Sequence, residues 1–329
     1  MKTRQWILIL AATLTAAAGG WASQSPAKSA GTNKELITAG NNGFALELYA
    51  KLRGEQGNLF LSPYSISTAL AMTYAGARGQ TASQMAQVLH FPTSPDRGQF
   101  GSAFGQINKD LNKRGRKGDY NLTVANALWG QKGFGFLKEY LKSVESNYDG
   151  RLSEVDFIAA AEASRKTINA WVEKKTKDKI KDLIPPGVLD SMTRLVLTNA
   201  IYFKGNWARQ FKKDQTKDAP FTLADGREIQ APMMNQTAEF GYMETDTFQG
   251  LELPYVKDEL SMIILLPKAA DGLPELEKNL TGENLSQWLS KLFRREVVVS
   301  IPKFKATSQF SLASTLEAMG MKDAFTPDA

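Results

Sequence analysis

The stretch NLFLSPYSISTALAMTYAGARG, Asn58–Gly79, decides how the rest of the chain is read. From Gln56 to Ala77 there is no charged residue, and that run approaches the length of a membrane-spanning helix. Yet it carries Ser62, Ser65, Ser67, Thr68 and Thr73, whereas a lipid-facing helix is apolar all round. Pro63 suits the first turn of a helix, and Ala69, Ala71, Ala75 and Gly76 would let a sheet approach closely. The stretch therefore reads as a short strand, NLFLS, followed by a helix buried in a large core and ended by Gly76 and Gly79. A buried hydroxyl without a partner costs on the order of 1–3 kcal/mol. A row of them must be paired or used.

Outward from that helix, the N-terminus has its own character. Lys2 and Arg4 precede an apolar run, Trp6 to Ala18, and then small residues, the pattern of a secretory signal peptide over residues 1–22 with cleavage after Ala22. The expectation is an exported protein, secreted or periplasmic. Residues 23–32, SQSPAKSAGT, have linker composition. The remainder of this 329-residue chain can bury a large core without staples, and with no cysteine it is neither disulfide-bonded nor lipid-anchored through a thiol. The formal charge of +6 loses two positive charges with Lys2 and Arg4, which is too mild to imply nucleic acid. The single histidine, His90, falls at an amphipathic helix end and reads as a residue interacting with the helix dipole. Histidine-dependent hydrolysis and most zinc sites thus lack their parts, and no metal or cofactor is expected. Two-carboxylate glycoside chemistry is the enzyme reading left, but Asp156, Glu252 and Asp258 are scattered and no spacing selects a pair.

Helical spacing is read from Asn41 to Gly54 through Phe44, Leu48 and Leu52, over Phe100–Leu111, over FLKEYLKSVESNY, and over Ala161–Lys181 with Ile168, Trp171, Val172 and Ile180 on one face. On the other face of that last helix lie Lys174, Lys175, Lys177, Lys179 and Lys181. NLTVANALWG alternates as a strand, and RLVLTNAIYFKGNW reads as a long strand buried on both faces, as do LSMIILLP and REVVVSIPKF. SLASTLEAMGM is a short helix. No repeat and no linker composition occurs after Thr32, and strands mix with helices without βαβ alternation, so the class is α+β in one domain, 33–329.

Four stretches carry a resemblance: NLFLSPYSISTALAM, LTNAIYFKGNW with Phe211 following, FTLADGREIQAPMM, and IPKFKATSQFSLASTLEAMGMKDAF. In these the chain resembles the serpins, a family of serine-protease inhibitors, from about Asn33 to the last residue. Asn199, Tyr202, Phe203, Lys204, Gly205 and Trp207 stand at the family's spacing, as do Pro302, Phe304, Leu312, Leu316, Gly320 and Phe325. The resemblance implies three β-sheets with about nine helices and a suicide mechanism. In that mechanism a protease cuts an exposed loop, forms an acyl-enzyme, and is dragged along as the cleaved loop inserts as a strand into the largest sheet. Loop insertion in this family is also a standard instance of β-strand addition.

By the same resemblance Ser62, Ser65 and Asn199 belong to the shutter, where the sheet parts, and Trp207 to the breach, where insertion begins. Ser62 alone also reads as a plain helix N-cap, and Trp207 as a core aromatic. The resemblance further implies that some 60 to 70 residues follow Ala329 in the family and hold the hinge, the reactive bond and the closing strands, so the chain reads as a C-terminally incomplete member. The turn KDLNKRGRKGDY gathers Lys109, Lys113, Arg114, Arg116 and Lys117, a candidate site for a sulfated polysaccharide beside the reading of a solvated loop. Sequons at Asn121, Asn235, Asn279 and Asn284 read as incidental. The expected partner is a serine or, less often, a cysteine protease, with no nucleic acid and no membrane, and the full-length protein is expected to be a monomer. A non-inhibitory member, a carrier, chaperone or storage protein, is the alternative.

Overall fold

A computed structural model describes residues 7–9, 33–55, 57–91, 97–114, 120–148, 151–223, 226–306 and 312–326. In chain order the elements are β1 (Ile7–Ile9), α1 (Asn33–Leu52), α2 (Pro63–Gly76), α3 (Gly79–Val88), α4 (Arg97–Arg114), β2 (Tyr120–Gln131), α5 (Lys138–Tyr148), β3 (Arg151–Val155), α6 (Phe157–Lys175), β4 (Leu195–Gly205), β5 (Thr216–Thr222), β6 (Glu228–Glu244), β7 (Phe248–Pro254), β8 (Ser261–Pro267), α7 (Leu273–Lys278), α8 (Gly282–Ser290), β9 (Phe293–Pro302) and α9 (Ala313–Met319). Mixed strands and nine described helices agree with the α+β expectation. No described helix is long and apolar enough to cross a membrane. The linker expected at 23–32 lies outside the described residues, as does the signal-peptide segment apart from Ile7–Ile9.

The chain packs as two compact units. One comprises Glu55–Phe60 and Gly205–Ser308 with β1, the other Pro26–Gly54, Leu61–Lys204 and Gln309–Ala329. Their segments alternate along the chain, so no single cut separates them, in keeping with the lack of linker composition after Thr32.

In the unit around α2, three strands pair in the order β3-β2-β4. Strand β2 is buried on both faces from Ala127 to Gln131, beyond the one-sided alternation its sequence suggests. Trp129 packs with Phe157, Ile168 and Ile184, and its indole nitrogen donates to Thr198 Oγ1 at 3.0 Å. A second cluster joins Phe91, Phe100, Phe104 and Tyr148, with neighbouring ring centroids 4.6 to 5.9 Å apart. The close packing of α4 on α5 requires glycine: a Cβ at Gly105 would run into the backbone carbonyl of Asn147.

Helix α6 starts at a tight cap. Asp156 accepts from Ala159 N–H at 3.0 Å, and Gln131 Oε1 accepts from Phe157 N–H at 2.7 Å. The Ala159 bond first, and then a bond donated by Gln131 Nε2 to Asp156 Oδ1 at 3.2 Å, hold the Asp156 carboxyl below the usual carboxylate range. Asp156 is thus a cap, not a general acid.

The other unit is organised by β6, 17 residues long. One edge pairs with β9 over residues 233–242, and the opposite edge pairs with β5 over 228–234 and with β7 over 241–244. The expectation counts three sheets; the described ladders form two networks because β6 runs without a break through what that count separates. Strand β7 continues to β8, whose far edge carries β1 in antiparallel register, Ile7 opposite Leu265.

Several boundaries differ from expectation. NLFLS is not in a strand, and α1 begins at Asn33, eight residues before the expected start. Helix α6 ends at Lys175 rather than Lys181: Thr176 Oγ1 bonds back to the Val172 carbonyl at 2.9 Å, and Lys177 and Asp178 take positive φ. Lys177, Lys179 and Lys181 therefore lie beyond the helix, and Ile180 is not on its face. Strand β9 is not buried on both sides, since Val298 is 79% exposed while Val299 and Ile301 are buried.

Candidate functional site

Helix α2 positions the hydroxyls that the sequence singles out. Ser62 is its N-cap, extended at φ −116°, with Oγ accepting from Ser65 N–H at 3.4 Å, and Pro63 fills the first turn. This bond satisfies one of the open donors that every helix start leaves. Thr68 and Thr73 donate to carbonyls one turn back, Tyr64 O at 2.7 Å and Ala69 O at 3.5 Å. For Ser62, Thr68 and Thr73 the expected partners are found inside the helix itself, the local bonding that Ser and Thr side chains offer.

Ser67 is different. It is fully buried, and its Oγ has no partner among the described residues. The sequence places Ser67 in the hydroxyl row but gives no signal for this. Its neighbour in the chain, Thr68, looks the same in sequence and is paired.

Tyr64 links α2 to α4 by donating to Asn108 Oδ1 at 2.7 Å. Burial pushes its hydroxyl well above the usual phenol range, so it stays a protonated donor. The other amide atom of Asn108, Nδ2, is buried without a partner among the described residues.

Ser65 is half-buried beside the cap. Asn199 sits in β4, but its side chain lies outside the described residues, so the two serines and Asn199 are brought into one unit without a side-chain geometry. Strand β4 pairs with β2 and, among the described strands, with no other. It is 11 residues long and entirely uncharged up to Lys204.

Trp207 lies in the other unit. It forms an isolated antiparallel bridge with Tyr255, the two rings stacked at 4.5 Å and 14°, and its edge meets Phe211 at 6.4 Å. Val256 N–H donates to Asn206 O at 2.9 Å on one side of the bridge, and Ala208 N–H to Pro254 O at 2.9 Å on the other. The indole is half-buried and its place is fixed by three backbone and ring contacts, more than a loosely packed aromatic would have.

The basic candidates divide. Lys109 and Lys113 are exposed on α4, and Arg114 ends it, so this part is helix and not the expected turn. The side chain of Arg114, and Arg116 and Lys117 entirely, lie outside the described residues. His90 is just past α3, with φ +53° and Nε2 3.1 Å from Glu47 Oε1 on α1. It is a helix-end residue as expected, with a cross-helix partner added. Among the described residues no group of three or more His, Asp or Glu side chains is arranged to hold a metal ion.

A family model described as Serpin (serine protease inhibitor) matches residues 39–329. The leukocyte elastase inhibitor of Xenopus tropicalis is 43% identical over 299 residues, 88% of this chain and 78% of that protein. Among solved structures, ovalbumin from the emu, Dromaius novaehollandiae, superposes with a TM-score of 0.85 at 33% identity, over 89% of this chain and 80% of that one. A loop-inserted structure of a cleaved ovalbumin mutant gives 0.83 at 32% identity, over 89% and 81%.

Proposed function

The chain belongs to the serpin family, described as serine protease inhibitors, and from that premise we propose that it is an exported inhibitor of a serine, or less often a cysteine, protease, acting by insertion of a reactive loop into the central sheet. The observation that carries the reading is the family match over residues 39–329, together with 43% identity to a leukocyte elastase inhibitor. The name of the Xenopus tropicalis relative makes an elastase-like serine protease the first target to try.

In this reading Ser62, Ser65 and Asn199 form a polar seam that holds the sheet closed until the loop replaces it. Hydrogen bonds give such a seam a direction that apolar contacts lack. Trp207 stands where insertion begins. The basic run before the apolar segment Trp6–Ala18 supports export, and the exposed Lys109 and Lys113 support attraction of a sulfated polysaccharide to α4. The active form is a monomer.

The test is incubation of the full-length protein with leukocyte elastase, followed by denaturing electrophoresis. The expected result is a band that survives SDS at the combined mass of protease and inhibitor fragment. Clean cleavage without that band overturns inhibition and returns the carrier, chaperone or storage reading.

A further inference from the structure

The chain holds ten methionines and no cysteine, so thioether sulfur is the softest and most readily oxidised atom it offers. Burial divides those sulfurs. Met72, Met85, Met233, Met243, Met262 and Met321 are at most 7% exposed, and Met234 and Met319 are half-buried. Met192 is 74% exposed, the one methionine among the described residues that stands in solvent. We propose that Met192 is a modification site that takes one oxygen atom from hydrogen peroxide, reversibly and without loss of the fold.

The surrounding backbone is fixed without help from the sulfur. Met192 lies in the connection from α6 to β4, just before β4 begins at Leu195. Asp190 Oδ1 accepts from Met192 N–H at 2.9 Å, from Thr193 N–H at 3.0 Å and from Thr193 Oγ1 at 3.2 Å, the local turn that an aspartate side chain can close on its own backbone. Arg194 folds back, its Nη1 donating to the carbonyls of Ser191 at 2.7 Å and Thr193 at 3.1 Å. None of these bonds uses the Met192 side chain, so changing its chemistry leaves them in place. Val188 in the same connection is 59% exposed, and single exposed apolar side chains are ordinary. What sets Met192 apart is that its exposed atom reacts.

The step is a two-electron oxygen transfer. The sulfur lone pair attacks one oxygen of the peroxide, the O–O bond breaks, and the departing hydroxide takes the proton of the transferred oxygen and leaves as water. Sulfur is oxidised to the sulfoxide and the peroxide is reduced. At a core methionine the product would bury a polar S=O group among apolar side chains, where an unpaired polar group costs about 1–3 kcal/mol. At Met192 it meets water. The Arg194 guanidinium, whose other N–H groups have no partner among the described residues, stands on the same short turn. Oxidant is thus consumed where the fold is not harmed, and an exposed sulfoxide is open to the reductases that restore methionine. Neither protease inhibition nor export enters this inference.

The test is exposure of the full-length protein to dilute hydrogen peroxide, followed by peptide mass spectrometry at intervals. Met192 should gain one oxygen about tenfold faster than Met234 or Met319, because susceptibility follows exposure. The singly oxidised protein should melt with the untreated one, and methionine sulfoxide reductase with a thiol reductant should return the original mass. Met192→Leu, which nearly conserves volume, should abolish the fast step and leave the slow ones unchanged. Met192→Gln, polar as the sulfoxide is, should melt with the wild type. Equal rates at Met234 or Met319, or a fast step that survives Met192→Leu, overturns the inference. So does a lower melting temperature in the singly oxidised protein or in Met192→Gln, or a sulfoxide the reductase cannot reach. None of these outcomes bears on protease inhibition.

Discussion

Helix α2 and strand β8 are both free of charge and both enter the core of their own unit, yet they are buried on different terms. In β8, Met262, Ile263, Ile264 and Leu265 are all at most 6% exposed, and the strand has neighbours on both edges. Apart from Ser261 at its start, everything polar in it is backbone, and the ladders on both edges pair it. In α2 the buried set is Ser67, Thr68, Ala71, Met72 and Tyr74, so polar atoms are carried into the core and each needs its own account. One, Ser67 Oγ, has no partner among the described residues. The difference teaches that an apolar element is held by volume and a hydroxyl-bearing one by bookkeeping of individual bonds, and only the second can be switched by offering a new partner.

The largest effect expected from this contrast is in β8. Ile264→Ala should destabilise the protein by about 3 kcal/mol, through lost transfer energy and an uncollapsed cavity, measured by chemical denaturation of the full-length protein. A loss below about 1 kcal/mol would mean that β8 is not packed as described and would break the contrast. Next comes Tyr64→Phe on α2. It leaves the Asn108 amide without any partner and should cost about 2 kcal/mol; a neutral result would place water where the tyrosine hydroxyl is drawn.

Ser67→Ala should go the other way. Removing an unpaired buried hydroxyl is expected to stabilise by roughly 1 kcal/mol, a rise in the melting temperature rather than a fall. Should the melt drop instead, Ser67 has a partner and α2 is as fully satisfied as β8. A serpin in which Ser67→Ala is more stable but inhibits more slowly would sharpen the contrast further, by showing the free hydroxyl at work during insertion.

The smallest effect concerns pH, at the end of β8. Lys268 Nζ lies 2.6 Å from Glu244 Oε1 and holds that carboxyl below its usual range, first by the hydrogen bond and then by charge. A carboxylate with a lowered folded-state pKa adds stability that is present above its unfolded value and lost as pH falls through the folded one. With Lys268→Gln the Glu244 titration, followed by NMR, should move up toward the ordinary value. The partners are partly exposed, so screening keeps the stability change small.

The legible part of the fold is uneven for a physical reason. LSMIILLP and REVVVSIPKF look alike in sequence, and each was expected to be buried on both faces. Strand β8 is, with Ser261 to Leu265 all buried. Strand β9 instead alternates over its second half, Val298 facing outward and Val299 and Ile301 inward. A run of β-branched residues states a preference for extended backbone, but how many faces are covered depends on distant segments. Helix ends fail in the same way: the lysine pattern after Lys175 continues at helical spacing, but Arg165 and Asn169 both donate to the Ile184 carbonyl, at 2.8 and 3.0 Å, and draw the chain back before another turn can form. At the candidate site, the cap at Ser62 was readable from Ser-Pro at a helix start, whereas nothing local distinguishes Ser67 from Thr68.

The sequence alone determined the family, through motifs whose residues lie close together in the chain, and with it the α+β class and the polar character of α2. Spacing within a short segment is enough for that, because helix and strand periods and capping are local. Only the tertiary structure decided which hydroxyl is unpaired, that Trp207 stacks on Tyr255, and that Tyr64 reaches Asn108. Those groups are separated by tens of residues, and it is chain packing that sets what a buried polar atom can reach.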